Sequence, residues 1–135
     1  MTSRQTAFHP SLRATLTRWF IGASAALILA ACASAPAKME GGVLTGATGM
    51  TLYTFDRDTA NSGKSVCNGP CAVNWPPLMV RDGADNRGDY SVITRDDGKK
   101  QWAFKGKPLY FWVKDQKPGD KTGEGVLNVW HVAKE

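Results

Sequence analysis

The sequence predicts a small, mainly β domain, antiparallel, built from two pseudo-repeats and carrying a minor helical turn. Three observations predict it. A short aromatic segment occurs twice, as Leu52-Tyr53-Thr54-Phe55-Asp56-Arg57-Asp58 and as Leu109-Tyr110-Phe111-Trp112-Val113-Lys114-Asp115. In each copy the Tyr and the next aromatic lie two apart, so on a strand they share one face. Glycine-bearing turns recur between short apolar runs, the pattern of hairpins, and the chain beyond the N-terminal leader shows no sustained 3.6-residue periodicity. The copies stand 57 residues apart, which reads as two half-units rather than a long array.

The leader comes first. Arg4, Arg13 and Arg18 precede an apolar run over 19–31 with no acidic residue among them, the length of a signal-peptide core and short for a membrane span. It ends in Leu29-Ala30-Ala31-Cys32, with small residues where signal cleavage requires them. Residues 1–31 are therefore expected to be a signal peptide, with Cys32 the first residue after the cut. Loss of the leader takes the net charge from +5 to about +2, and a chain so near neutral has no nucleic-acid footprint. Residues 32–42, small, polar and rich in Pro and Gly, read as a flexible tether. Residues 43–135 read as one β domain, with half-repeats at about 43–80 and 90–135.

Within it, 43–44 and 50–55 flank a Gly46-Ala47-Thr48-Gly49 turn and predict a first hairpin. Cys71 to Trp75 suits one helical turn, halted by Pro76-Pro77. Residues 90–95 alternate as a strand, and Asp96-Asp97-Gly98 turns it into a second strand over 100–105. Gly106 turns the chain into a strand over 109–113, and 126–132 is expected to be the last strand. Trp75, Trp102, Trp112 and Trp130 make the core unusually aromatic for its size. Asp58 and Asp115, just past their strands, are placed to accept backbone N–H bonds at turns.

Taken together, Cys32 after its small residues and the two Tyr-x-aromatic-x-x-Asp motifs resemble the secreted-repeat family of predicted bacterial lipoproteins. The motif is complete at Tyr53, Phe55, Asp58 and again at Tyr110, Trp112, Asp115. Segments 71–78 and 129–132 are similar to those closing each half, so the resemblance spans the chain from about Gly42 onward. It implies acylation of Cys32 and attachment to a membrane. General lipoprotein sorting places a chain with Ala33 after that Cys on the periplasmic face of the outer membrane if the source is Gram-negative. The family is of unknown function, so no catalytic residue carries over.

The candidate chemistry is sparse. The motif aromatics either fill the core or stack on a ligand in a cleft, where Asp58 and Asp115 would orient it or share a cation. Cys67 and Cys71 form an even pair in an oxidising compartment around a turn-forming Asn-Gly-Pro; a disulfide there adds about 2 kcal/mol by loop entropy. Haem attachment needs Cys-x-x-Cys-His, and a thioredoxin-like site needs Cys-x-x-Cys before a helix; neither is present. Asp56 to Cys67 begins like a calcium loop, but Asn61 replaces its glycine and Cys67 its terminal glutamate. His131, with Met39, Met50 and Met79 as soft donors, is the remaining metal candidate, though on a terminal strand a backbone partner is expected for it. No hydrolase, metalloprotease or phosphate-loop motif occurs. The expectation is a non-enzymatic, lipid-anchored envelope protein that needs no cofactor or metal. It would act as a binding or structural module for an envelope protein or small ligand, with an accessory metal-binding or thiol-redox role as the alternative.

Overall fold

A computed structural model describes residues 34–135; the leader and Cys32 lie outside them. Strand β1 (Lys38–Glu40) pairs antiparallel with β2 (Val43–Thr45), Met39 opposite Leu44. Gly41 and Gly42 between them both take positive φ, 57° and 80°, as two-residue hairpin turns require. Ala37 is already buried in an apolar cluster. The segment read as a flexible tether, 32–42, is thus folded in its second part, because its Gly-Gly pair serves as a hairpin turn.

The chain is mainly β, in three small antiparallel sheets. Strand β3 (Tyr53–Phe55) follows a Gly46–Gly49 turn and pairs with β7 (Trp130–Val132), Tyr53 opposite Val132. Helix α1 (Pro70–Asn74) has Pro in its first turn, where a missing N–H is harmless, and stops at Trp75 before the two prolines. Strands β4 (Tyr90–Thr94) and β5 (Lys100–Phe104) form the Asp-Asp-Gly hairpin, and β6 (Lys107–Pro108) adds a short third strand.

Two expected strands differ. Residues 109–113 form isolated bridges rather than a ladder: Tyr110 pairs with both Tyr53 and Pro77. Their neighbour on one side is Pro76-Pro77, which has no N–H to donate; Phe111 N–H reaches Pro76 O and Leu78 N–H reaches Leu109 O instead. The last strand is confined to Trp130–Val132, since Gly125, Leu127 and Asn128 all have positive φ and a 3-10 turn (Val126–Asn128) occupies the rest.

Neither half closes on itself. Leu52 N–H donates to Leu44 O, Leu44 N–H to Ala133 O, and Ala133 N–H to Leu52 O, a cycle of 2.8–2.9 Å bonds whose third member comes from the second repeat. Its counterpart runs Leu109 to Trp102, Trp102 to Leu78 and Leu78 to Leu109, again with one member borrowed from the other repeat. Between the cycles, Tyr53 and Tyr110 exchange both backbone hydrogen bonds at 2.8 and 3.0 Å. That pair marks a pseudo-twofold axis, and each repeat supplies the closing segment of the other.

This exchange predicts that neither repeat folds alone. Fragments cut in the exposed 81–88 loop should each give a disordered circular-dichroism spectrum, and an equimolar mixture should recover β structure and a cooperative melt. A first-repeat fragment that melts cooperatively by itself would contradict the interlock.

Candidate functional site

The motif residues meet across the axis. Tyr53 hydroxyl donates to Asp115 Oδ2 at 2.6 Å, and Tyr110 hydroxyl donates to Asp58 Oδ2 at 2.5 Å. The aspartate of each repeat therefore holds the tyrosine of the other. Its second oxygen holds its own loop: Asp58 Oδ1 accepts Val66 N–H, and Asp115 Oδ1 accepts Thr122 N–H and its hydroxyl. Both tyrosines are fully buried, and burial, then the adjacent carboxylate, pushes each hydroxyl well above its usual pKa, so both remain donors. Burial also raises Asp58, opposed by the Tyr110 hydroxyl, the Val66 N–H and the Arg95 charge.

The rings obey the same symmetry. Phe55 stacks on Trp130 with ring centres 4.2 Å apart, Trp130 on Trp75 at 3.8 Å, and Trp75 on Trp112 at 4.0 Å. Tyr53 meets Trp75 edge-on at 5.4 Å and Tyr110 meets Trp130 edge-on at 5.1 Å. Each such pair adds about 0.5–1.5 kcal/mol beyond the area it buries. The motif aromatics thus belong to a four-ring column, with Phe55 and Trp112 half-buried at its ends. Gly123 is required beside it: a Cβ there would stand 2.8 Å from both the Tyr53 and Trp75 rings, and its N–H donates to the Tyr53 hydroxyl.

Asp58 and Asp115 do not share a site, since each carboxylate is engaged by a different tyrosine and a different loop. On the first side the chain of donors continues inward. Ser65 hydroxyl donates to Tyr110 and accepts from Arg95 Nη1; Arg95 also donates to Gln101 Oε1, Asn68 Oδ1 and Cys67 O. Arg95 is 3% exposed, a buried charge made tolerable by four oxygen acceptors. Sequence reasoning passed over Arg95, although its period-two relation to buried Ile93 puts it on the inward face of β4's continuation. Cys67 and Cys71 are joined as a disulfide, with Cys67 wholly buried, so the bond fastens the loop that carries Ser65.

His131 lies between two carboxylates rather than against the backbone group expected for it. Its Nε2 meets Asp56 Oδ2 at 2.9 Å and its Nδ1 meets Glu124 Oε1 at 3.2 Å, while Glu124 Oε2 accepts Val132 N–H. Among the described residues no group of three or more His, Cys, Asp or Glu side chains is arranged to hold a metal.

A groove of about 490 Å³ runs along one side of the ring column, touching Phe55, Trp130 and Trp75, a size that suits a small ligand. Its lips are Val66 and Leu127, 59% and 81% exposed, and Arg57 stands at its edge. Leu127 and Asn128 both take left-handed φ, 55° and 56°; asparagine enters this region readily, whereas leucine does so at about 1–2 kcal/mol. No periodicity or motif announced this feature.

Two outcomes follow. Tyr110→Phe or Tyr53→Phe should cost about 1–3 kcal/mol, because each leaves a carboxylate without its hydroxyl. In double-mutant cycles on denaturant midpoints, Tyr110→Phe should couple with Asp58→Ala by about 0.5–3 kcal/mol and add independently to Asp115→Ala; coupling to Asp115 would contradict the exchange. The second outcome concerns pH. Hydrogen bonding to Glu124, then to Asp56, raises His131 above 6.5, so its contribution is complete below 6.5 and fades as pH rises through the raised value. Wild-type stability should decline over that interval by less than about 1 kcal/mol, the pair being exposed, and His131→Gln should lack the decline. An unchanged slope in that variant would contradict it.

Comparison with known proteins accords with this symmetry. A family model described as a secreted repeat of unknown function matches the chain twice, over residues 37–79 and 91–134, so each match carries one motif and one of the paired tryptophans, Trp75 and Trp130. No curated protein and no solved structure matches the chain. Among the described residues no helix is long and apolar enough to cross a membrane. The chain belongs to the family of secreted repeats of unknown function.

Proposed function

We propose that this is a lipid-anchored, non-catalytic module of the cell envelope, held to a membrane through Cys32, whose folded domain binds a partner or small ligand. One observation carries the non-catalytic reading: the motif side chains that could do chemistry are spent on one another. Both tyrosine hydroxyls and both carboxylates of the motifs are engaged across the axis, and the aromatics fill the ring column. The family's secreted character supports export, and Leu29-Ala30-Ala31-Cys32 supports acylation. The alternative, a metal or thiol-redox accessory role, draws less support. His131 is occupied by Asp56 and Glu124, and of the disulfide Cys67 is wholly buried and Cys71 half-buried, which restricts the access that exchange-active thiols need.

Fractionation tests the anchor. Cys32→Ser should leave the domain folded and move it from the membrane fraction to the soluble exported fraction, and unchanged fractionation of that variant would remove the lipoprotein reading. Thiol titration of the purified domain tests the alternative: a pair resistant to mild reduction fits the module, and a readily reduced pair fits the redox role.

A further inference from the structure

We propose that the groove beside the ring column is a binding site for a small, flat, apolar molecule carrying an acidic group. The inference deepens the reading of the domain as a binding module and is independent of the anchor at Cys32.

The groove has features that the fold does not need. Phe55, the half-buried end of the column, gives this opening its accessible ring, while Trp130 and Trp75 border it at only 2% and 4% exposure. A flat ring entering the opening therefore meets Phe55, with which offset or edge-on aromatic contact is favourable. Leu127 is the second feature. An 81% exposed leucine on a left-handed backbone gains little from burial and strains the chain, and strain of this kind collects at binding sites. With Val66 opposite, it forms an apolar lip that a bound ring would cover.

Charge selects the ligand class. Arg57 stands at the groove and takes part in none of the ion pairs among the described residues. Asp56 beside it in sequence points instead to His131. A planar apolar body against Phe55 and the Val66–Leu127 lip with a carboxylate, sulfonate or phosphate at Arg57 satisfies both features, and the guanidinium fork suits such groups. The symmetry argues the same way. Lys114 occupies the place corresponding to Arg57 in the second repeat, but it lies over the Trp112 ring, 5.7 Å from its centre. The lip is made by both repeats, Val66 from the first and Leu127 from the second.

The test uses two fluorescent probes on the folded domain: 8-anilinonaphthalene-1-sulfonate, with a flat naphthalene body and an anionic sulfonate, and its neutral relative N-phenyl-1-naphthylamine. The sulfonate should bind one to one, quench tryptophan emission, and leave a cooperative thermal melt that shifts upward. Arg57→Gln should weaken the sulfonate by about fivefold, the upper range for an exposed charge pair, and leave the neutral probe unchanged. Leu127→Asn should weaken both probes by about tenfold or more while raising the melting temperature, since Asn accepts the left-handed backbone. Two results would overturn the proposal. One is binding that ignores both substitutions, or no binding by the folded domain. The other is a domain that sediments as a dimer dissociated by Leu127→Asn, which would make the groove a contact between copies. Neither result bears on fractionation of Cys32→Ser, so failure of this site and failure of the anchor remain separable.

Discussion

The structure depends on a reciprocal hydrogen bond. Tyr53 gives its hydroxyl to Asp115, and Tyr110 gives its hydroxyl to Asp58, so each repeat supplies the acceptor for the other's buried tyrosine hydroxyl. This accounts for the composition of the motif. The Tyr sits on the axis, where its backbone pairs with its counterpart. The aromatic two residues later shares its face and enters the ring column. The Asp five residues after the Tyr lies past the strand end, where one oxygen can hold a loop and the other can reach across. Phe in place of Tyr would keep the packing and lose the crossing bond. Left without a donor, a partly buried carboxylate is destabilising, so the two repeats stabilise each other and neither is complete alone.

Against that symmetric frame, the differences between the halves are informative. Behind Tyr110 lie Ser65, Arg95 and a disulfide-fastened loop; behind Tyr53 there is the N–H of Gly123. Where the first half turns through a short helix, the second turns through Leu127 and Asn128 in the left-handed region. The frame needs a turn at each place and is indifferent to how it is made. The exposed Leu127, Arg57, which joins no ion pair among the described residues, and the accessible Phe55 end of the ring column all border one groove. The proposed binding groove therefore lies where the repeats diverge, and the motifs themselves serve the scaffold.

Much of the fold was legible because its signals are local. The paired motifs, the β4–β5 hairpin through Asp96-Asp97-Gly98 and the helical turn ahead of Pro76-Pro77 all follow from period, turn chemistry and proline's missing N–H. The placement of Tyr and aromatic on one face was legible for the same reason. What the sequence withheld depends on partners far along the chain. That Asp58 answers Tyr110 and not its own Tyr53 is a fact of topology, and period-two reasoning carries no information on it. Strand β1 was hidden because Gly41-Gly42 reads as linker unless the strand before it has a partner. The strand expected over 126–132 was shortened because Leu127, beside Asn128, adopts a left-handed backbone that leucine does not announce. The groove at that corner was illegible for the same reason, whereas Arg95 could have been found from its alternation with Ile93.

The most direct test of the interlock is proton NMR of the tyrosine hydroxyls in the folded domain. Hydroxyl protons held in buried, charge-assisted hydrogen bonds exchange slowly enough to be seen. The account predicts two resolved, downfield hydroxyl resonances with nuclear Overhauser contacts that cross the repeats: Tyr110 to the Val66 amide, and Tyr53 to the amides of Thr122 and Gly123. Contacts from each tyrosine to the loop of its own repeat, or hydroxyls in rapid exchange with water, would contradict it.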